Sequence, residues 1–163
     1  MEWKADCCKL KDQKNIVVKN KKENPKEYKG KLRFNNPNNY LCYDVNVAYQ
    51  LRKERNTTGN CDSLLVVFST KNKEKLKDIN STYTQQKHFI KFKAGDLSGA
   101  YAQIISTVKI LGFKNELNFG YVVRNPKKKL YAQAQGNLKK YSKAARGKIL
   151  FKILKSNETI KLN

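Results

Sequence analysis

The sequence is poor in the residues that catalysis most often uses. It has one histidine, His88, and 13 acidic residues among 163. A single histidine excludes two-histidine nuclease mechanisms, and the isolated carboxylates do not supply the convergent set that a metal-dependent phosphoryl enzyme needs. The glycines of Gly95-Asp96-Leu97-Ser98-Gly99 are not followed by the Lys and Ser or Thr of a phosphate-cradling loop. We therefore predict a protein that is not an enzyme, with no catalytic residue, cofactor or metal.

Long apolar runs are also missing. No stretch of about 18 apolar residues occurs, which excludes a transmembrane helix. The hydrophobic fraction of 39% and the aromatic fraction of 10% are nevertheless too high for a disordered basic tail. The sequence therefore predicts a folded chain, long enough to bury a core of its own.

Positive charge is what the sequence has in excess. There are 35 Lys and Arg residues, giving a net charge of +22, and residues 101–163 alone hold 14 basic and 2 acidic residues. Residues 41–70 hold three of each and are neutral. Because all but five of the basic residues are lysine, whose ammonium group is a mobile point charge, the composition favours diffuse attraction to polyanions over base-specific contacts.

Hydrophobic alternation predicts a β-rich fold. Residues 41–52 alternate apolar and polar side chains, which is typical of a half-buried strand, and Leu64–Phe68 resembles a strand buried on both faces. These two strands are predicted to form a hairpin at the centre of the core. Shorter alternating segments predict further strands at 89–92, 117–123, 130–138, 149–153 and 159–162. The predicted fold is mainly β, an antiparallel sheet arranged as a sandwich or a barrel-like structure.

One segment fits two structures. Apolar residues at helical spacing between about 97 and 111 predict a helix ended by Gly112, whereas the alternation of Ala102, Ile104, Ser106 and Val108 predicts a strand. A helix here would make the fold α+β. The predicted domain organisation is a loosely structured basic arm over residues 1–39, followed by a single antiparallel β-rich domain over residues 40–163.

Cysteines and sequons bear on the cellular compartment. The disulfide candidates are Cys7, Cys8, Cys42 and Cys61; a vicinal Cys7–Cys8 bond is strained, which leaves a Cys42–Cys61 bond or bridges from the N-terminal pair to the hairpin. Four reduced thiols in a cytosolic protein are the alternative. Asn-X-Ser/Thr sequons make Asn56, Asn80 and Asn157 candidate glycosylation sites. We expect a secreted glycoprotein whose signal peptide has been removed, with a cytoplasmic location as the alternative.

The lysine-rich C-terminal segment supplies the predicted binding surface. Three lysines lie on a predicted turn after Pro126, and others fill the loop between the next two predicted strands. Clustered cations that face a polyanion release its counterions, which gives strong, salt-dependent binding. The residues assigned to polyanion binding are Arg124, Lys127, Lys128, Lys129, Lys139, Lys140, Lys143, Arg146, Lys148, Lys152 and Lys155.

The predicted partner is a polyanion or an acidic protein surface. Heparan sulfate or heparin, polyphosphate and extracellular nucleic acid all fit the charge, and peripheral contact with an anionic membrane is a further possibility. A host-directed effector, such as a salivary or venom protein, fits the composition. Two alternatives stay open, an intracellular nucleic-acid-binding module and a small-ligand carrier with a β-barrel cavity.

Overall fold

The computed structural model describes residues 8–11, 15–19, 30–35, 41–44, 61–70, 80–93, 97–125, 132–146 and 148–162. The two helices are α1 (Ser98–Leu111) and α2 (Ala132–Ala144). The strands are β1 (Cys8–Lys11), β2 (Asn15–Lys19), β3 (Lys31–Asn35), β4 (Leu41–Asp44), β5 (Ser63–Phe68), β6 (Thr84–Lys93), β7 (Asn118–Arg124), β8 (Ile149–Lys155) and β9 (Thr159–Lys161). The predicted β-rich fold is confirmed.

The larger sheet has six strands in the order β1-β4-β5-β6-β7-β8. Strands β1, β4, β5 and β6 pair antiparallel, and the predicted pairing of residues 41–44 with the strand at 64–68 is present. Strands β6, β7 and β8 pair in parallel instead. The reason is that α1 and α2 connect these three strands, and a helical crossover returns the chain to the same end of the sheet. The sheet is therefore mixed, and the antiparallel prediction fails for these three strands.

The helical alternative for residues 97–111 is the one that the structure adopts. Helix α1 ends at Gly112, whose backbone N–H donates to the Val108 carbonyl at 2.7 Å. A Cβ atom at Gly112 would lie 2.5 Å from that oxygen, so only glycine fits this close approach. The C-terminal end of α1 is thus fixed where the chain turns toward β7.

The strand predicted at residues 130–138 is wrong. Residues 132–144 form α2 instead, because the alternating positions Ala132, Ala134 and Gly136 are small rather than β-branched and carry no strand preference. Leu138 and Tyr141, three residues apart, pack against the core on the same side of this helix. A period-two pattern made of small residues therefore does not identify a strand. Neither helix in the described part of the chain is both long and apolar enough to cross a membrane.

A second sheet, β2-β3-β9, covers the face of the large sheet opposite the helices. Its core-facing residues Ile16, Val18, Leu32 and Phe34 are all at most 1% exposed. They pack against residues of β5, β6, β7 and β8. The strands at 15–19 and 31–35 fall inside the predicted loosely structured arm, so for these residues that prediction is corrected. Their alternation of apolar and basic residues builds a folded, one-sided sheet.

The large sheet is buried on both faces at its centre. All six residues of β5 are buried, as the sequence predicted for 64–68. Strand β6 also buries two polar residues, Lys87 and His88, which are 0% and 2% exposed. Because adjacent residues of a strand point to opposite faces, Lys87 lies toward the helices and His88 toward the second sheet.

His88 is held in a neutral, fully hydrogen-bonded state. Its Nε2 donates to Gln86 Oε1 at 3.0 Å, and its Nδ1 accepts from the Tyr121 hydroxyl at 2.9 Å. The ring stacks on Phe119 at 4.8 Å between centroids and meets the edge of Phe34 at 5.5 Å. Burial lowers the pKa of His88 from 6.5 to about 3. A neutral imidazole without access to solvent is a structural residue rather than a general base.

This buried histidine predicts a pH dependence of stability. The unfolded chain takes up a proton near pH 6.5, whereas the folded chain does so only near pH 3. The contribution of the neutral His88 to the free energy of unfolding is therefore fully present above pH 6.5. It is lost as the pH falls toward 3, by up to about 1.4 kcal/mol per pH unit. Urea unfolding should show a loss of about 2 kcal/mol between pH 7.5 and 5, a range above most carboxyl titrations.

The His88→Gln variant has no titratable group at this position, so its free energy of unfolding should not depend on pH over the same range. Since His88 is the only histidine in the chain, the folded wild-type protein gives one imidazole Hε1 signal in proton NMR. That signal should not shift between pH 7.5 and 5. An imidazole that titrates near pH 6.5 in the folded protein would show that His88 is not buried as described.

Candidate polyanion-binding surface

The predicted binding residues fall into two groups that lie at opposite ends of the large sheet. Arg124 and Lys155 end β7 and β8, whereas Arg146 and Lys148 lie just before β8 begins. A seven-residue strand is about 20 Å long, so the two groups are separated by about that distance. Lys127, Lys128 and Lys129 lie outside the described residues. The single patch inferred from the sequence is therefore two patches.

At the carboxyl ends of the parallel strands, three cations stand in register. Lys93 of β6 pairs with Arg124 of β7, and Arg124 pairs with Lys155 of β8. Neighbouring strands lie about 4.8 Å apart, so the three Cα atoms fall within about 10 Å. We call Lys93, Arg124 and Lys155 the cation row. Lys93 was not among the predicted residues, because only the strand register brings it beside the other two.

The cation row lies on the helix face of the sheet. The residues that precede its three members, Phe92, Val123 and Leu154, belong to the core beneath the second sheet, and successive side chains alternate between faces. Lys93 and Arg124 are partly exposed and Lys155 is exposed. All three side chains therefore extend from one end of one face, where a single extended anion can reach them.

Positive charges accumulate at this end of the sheet. Like charges that lie opposite each other on neighbouring strands destabilise a sheet. Helix α1 begins at Ser98, shortly after β6 ends, so its positive N-terminal end lies at the same end of the sheet. Neither α1 nor α2 has an acidic residue in its first turn. Phosphate or sulfate groups would relieve the repulsion among these positive charges.

Two carboxylates of the described residues lie close to the cation row. Asp62 Oδ2 accepts a hydrogen bond from the backbone N–H of Phe92 at 2.7 Å, and its Oδ1 pairs with Lys91 Nζ at 2.9 Å. Glu158 Oε1 accepts a hydrogen bond from the backbone N–H of Lys155 at 2.9 Å, in the turn between β8 and β9. This contact uses the carboxylate to order the turn, in which Asn157 adopts a positive φ of 73°. The Lys155 side chain remains exposed beside it.

The other predicted lysines surround these two ends. Lys152 is exposed on the edge strand β8, three residues from Lys155 and on the opposite face. Lys139, Lys140 and Lys143 are exposed on the second half of α2, toward the other end of the sheet. The Tyr141 ring between them stacks on the buried Tyr101 at 5.2 Å between centroids, so it packs in the core rather than offering a free stacking surface.

Cys61 does not have the partner that the sequence suggested. Cys42 pairs in register with Val66, and Cys61 lies five positions before Val66 (66 − 61 = 5). At about 3.3 Å per residue this offset separates Cys42 and Cys61 by about 16 Å, far beyond the Cα distance that a disulfide allows. Cys61 is a free, buried thiol whose Sγ donates to the Ser63 carbonyl at 3.5 Å. Cys7 and the side chains of Cys8 and Cys42 lie outside the described residues.

The candidate glycosylation sites differ in their surroundings. Asn157 is exposed in the β8–β9 turn, the kind of position that a glycan tolerates. Asn80 is also exposed, and its Oδ1 accepts a hydrogen bond from the buried Lys87 Nζ at 2.7 Å. Asn56 lies outside the described residues. Of the two described sequons, the one at Asn157 is the better acceptor because its side chain holds no internal contact in the core.

No protein-family model matches this chain, and comparisons with curated proteins and with solved structures also give no significant match.

The buried thiol gives a prediction about cysteine reactivity. Burial raises the pKa of Cys61 to about 12, with a smaller opposing effect from its hydrogen bond with Thr107. Because the thiolate is the reactive form, Cys61 should resist iodoacetamide at pH 8 in the native protein. It should then react with N-ethylmaleimide once the chain is denatured without a reductant, and peptide mapping will identify the label. A Cys61 that reacts only after reduction would instead be in a disulfide, which the strand register excludes for Cys42.

Proposed function

We propose that this protein is a non-enzymatic binder of linear polyanions, which it captures at the cation row. The observation that carries the proposal is the register of β6, β7 and β8, which aligns Lys93, Arg124 and Lys155 across three neighbouring strands. A polyanion that lies across the strand ends would contact all three cations within about 10 Å. Such an arrangement binds more strongly than the same charges dispersed over the surface.

The chemistry of the cation row favours phosphate or sulfate groups. It combines two ammonium groups with one guanidinium group, which can bind two oxygens of one anion at once. Base-edge recognition depends chiefly on arginine and amide side chains, whereas ammonium groups contact charged oxygens without reading sequence. We therefore propose a sulfated polysaccharide of the heparan sulfate type or polyphosphate as ligand, with nucleic acid bound only through its backbone.

Exposed lysines next to the cation row extend the surface. Lys152 lies three residues from Lys155 on the edge strand and is likewise exposed. A chain that crosses the row can therefore continue along β8. We propose an extracellular setting and a host-directed role, supported by the exposed sequon at Asn157 and by the net charge of +22.

The proposal predicts a specific loss of affinity. Replacing the row by Lys93→Gln, Arg124→Gln and Lys155→Gln removes three positive charges from one end of the sheet. The dissociation constant for a heparin oligosaccharide should rise at least tenfold at physiological salt. For duplex DNA, the slope of log K against log salt should become shallower by about 2 to 3, because each lost phosphate contact releases one counterion fewer. Titration at four salt concentrations measures both quantities.

The second sheet offers a matched control. Lys19→Gln, Arg33→Gln and Lys161→Gln remove the same three charges and the same residue types from exposed positions on β2, β3 and β9. This control should retain nearly wild-type affinity. Equal losses in the two triple variants would mean that the charge acts diffusely, and the cation row would then not be the site. Thermal melts of both variants establish that they are folded.

A further inference from the structure

A cleft of about 1070 Å³ opens at the end of the large sheet opposite the cation row. Its walls are the C-terminal half of α1, the segment 112–116, the turn at 80–82, and residues 144–146 and 148–149 between α2 and β8. These are the amino-terminal ends of the parallel strands, about 20 Å from the row. The cleft is therefore a separate site from the surface proposed for polyanions.

Both apolar and charged side chains line the cleft. Ile105 and Val108 of α1, together with Ile149 of β8, give it an apolar wall. Four cations, Lys109, Lys114, Arg146 and Lys148, share the lining with one carboxylate, Glu116. A neutral apolar ligand would gain nothing from these cations, and a fully charged chain would leave the apolar wall unused. The lining fits a molecule with an apolar body and an anionic group.

The walls of the cleft are held in place by buried polar side chains. The Asn118 Oδ1 accepts from Phe113 N–H at 2.8 Å, and its Nδ2 donates to the carbonyls of Phe113 at 3.1 Å and Lys148 at 3.2 Å. Asn118 itself is 0% exposed. It therefore joins the segment that carries Lys114 to the start of β8, which carries Lys148. The cleft is built before any ligand arrives, which lowers the entropic cost of binding.

A buried ammonium group makes the cleft more favourable for anions. Lys87 Nζ donates at 2.7 Å to the carbonyl of Leu111, the last residue of α1, and lies 4.5 Å from the Phe113 ring centroid. The C-terminal end of a helix carries a partial negative charge that would repel an anion. The contact with Lys87 offsets that charge directly behind the cleft wall. The C-terminal end of α1 therefore opposes an anion in the cleft less than it would without Lys87.

We propose that this cleft binds a small amphipathic anion, a molecule with an alkyl or aryl body and one sulfate, phosphate or carboxylate group. The apolar body would lie on Ile105, Val108 and Ile149, and the anionic group would lie among the side chains of Lys114, Arg146 and Lys148. This binding is independent of the polyanion function, because no member of the cation row lines the cleft.

Isothermal titration with decyl sulfate below its micelle concentration tests the proposal. Decyl maltoside and decyltrimethylammonium share the alkyl chain but lack the anionic group, and inorganic sulfate lacks the chain. Decyl sulfate should bind at one saturable site, at least tenfold more tightly than any of these three. Binding to many sites in proportion to the lysine content, or no preference over inorganic sulfate, would overturn the proposal.

Variants separate the cleft from the rest of the basic surface. Arg146→Asn with Lys148→Gln removes two headgroup contacts, and asparagine suits the positive φ of 51° at position 146. Ile105→Ser shortens the apolar wall at a partly exposed position. Each should weaken decyl sulfate binding at least tenfold, whereas the triple variant of the cation row should bind it as the wild type does. If the cation-row variant loses decyl sulfate binding equally, the cleft is not the site, whatever its effect on heparin.

Discussion

The parallel pairing of β6, β7 and β8 is the constraint on which the rest of the structure depends. Two helical crossovers return the chain to the same end of the sheet, so the three strands begin together and end together. Residues that are about 30 positions apart in the sequence, such as Lys93 and Arg124, thereby become direct neighbours. The same constraint gathers the helix C-termini at the other end, where the cleft forms.

The two ends of the sheet have different electrostatic environments. At the carboxyl ends, the cation row and the N-terminus of α1 bring positive charges together, and the carboxylates of Asp62 and Glu158 lie beside them. At the amino ends, helix C-termini attract the nearby cations, among them Lys109 in the last turn of α1 and Lys143 in that of α2. Some of the charge near the cleft therefore stabilises the helices.

Burial on both faces explains why the centre of the sheet holds so few candidate functional groups. The second sheet and the helices together exclude water from β5 and β6, so His88 is neutral and Lys87 is tied to the end of α1. The polar residues of β6 thus act as structural links between layers. Charged side chains reach solvent instead at the strand ends and on the edge strand β8.

Local patterns in the sequence predicted the strands better than their arrangement. The apolar run at 64–68 and the alternation at 117–123 identify β5 and β7, because a strand buried on one or both faces has a distinct periodicity. The alternating small residues at 132–136 predicted a strand where the chain forms a helix, since alanine and glycine carry little information about burial. The burial of Lys87 and His88 could not be predicted from sequence, because polar residues in a central strand are buried only where a neighbouring layer supplies their partners.

The sequence predicted only part of the candidate site. Clustering along the chain identified Arg124 and Lys155 but also joined them to Arg146 and Lys148, which lie at the other end of the sheet. Lys93 could not be found this way, since its relation to Arg124 exists only through strand register. The predicted Cys42–Cys61 disulfide is wrong for the same reason. The two cysteines are close in sequence, but the strand register separates them by about 16 Å.

Lysine footprinting tests the central claim most directly. The protein is acetylated with a limiting amount of an amine-reactive reagent, with and without saturating heparin, and the modified positions are quantified by mass spectrometry. The account predicts that heparin protects Lys93 and Lys155 several-fold and leaves Lys19 and Lys161, exposed on the second sheet, as reactive as before. Equal protection at all four lysines, or protection at Lys19 and Lys161 alone, would contradict it.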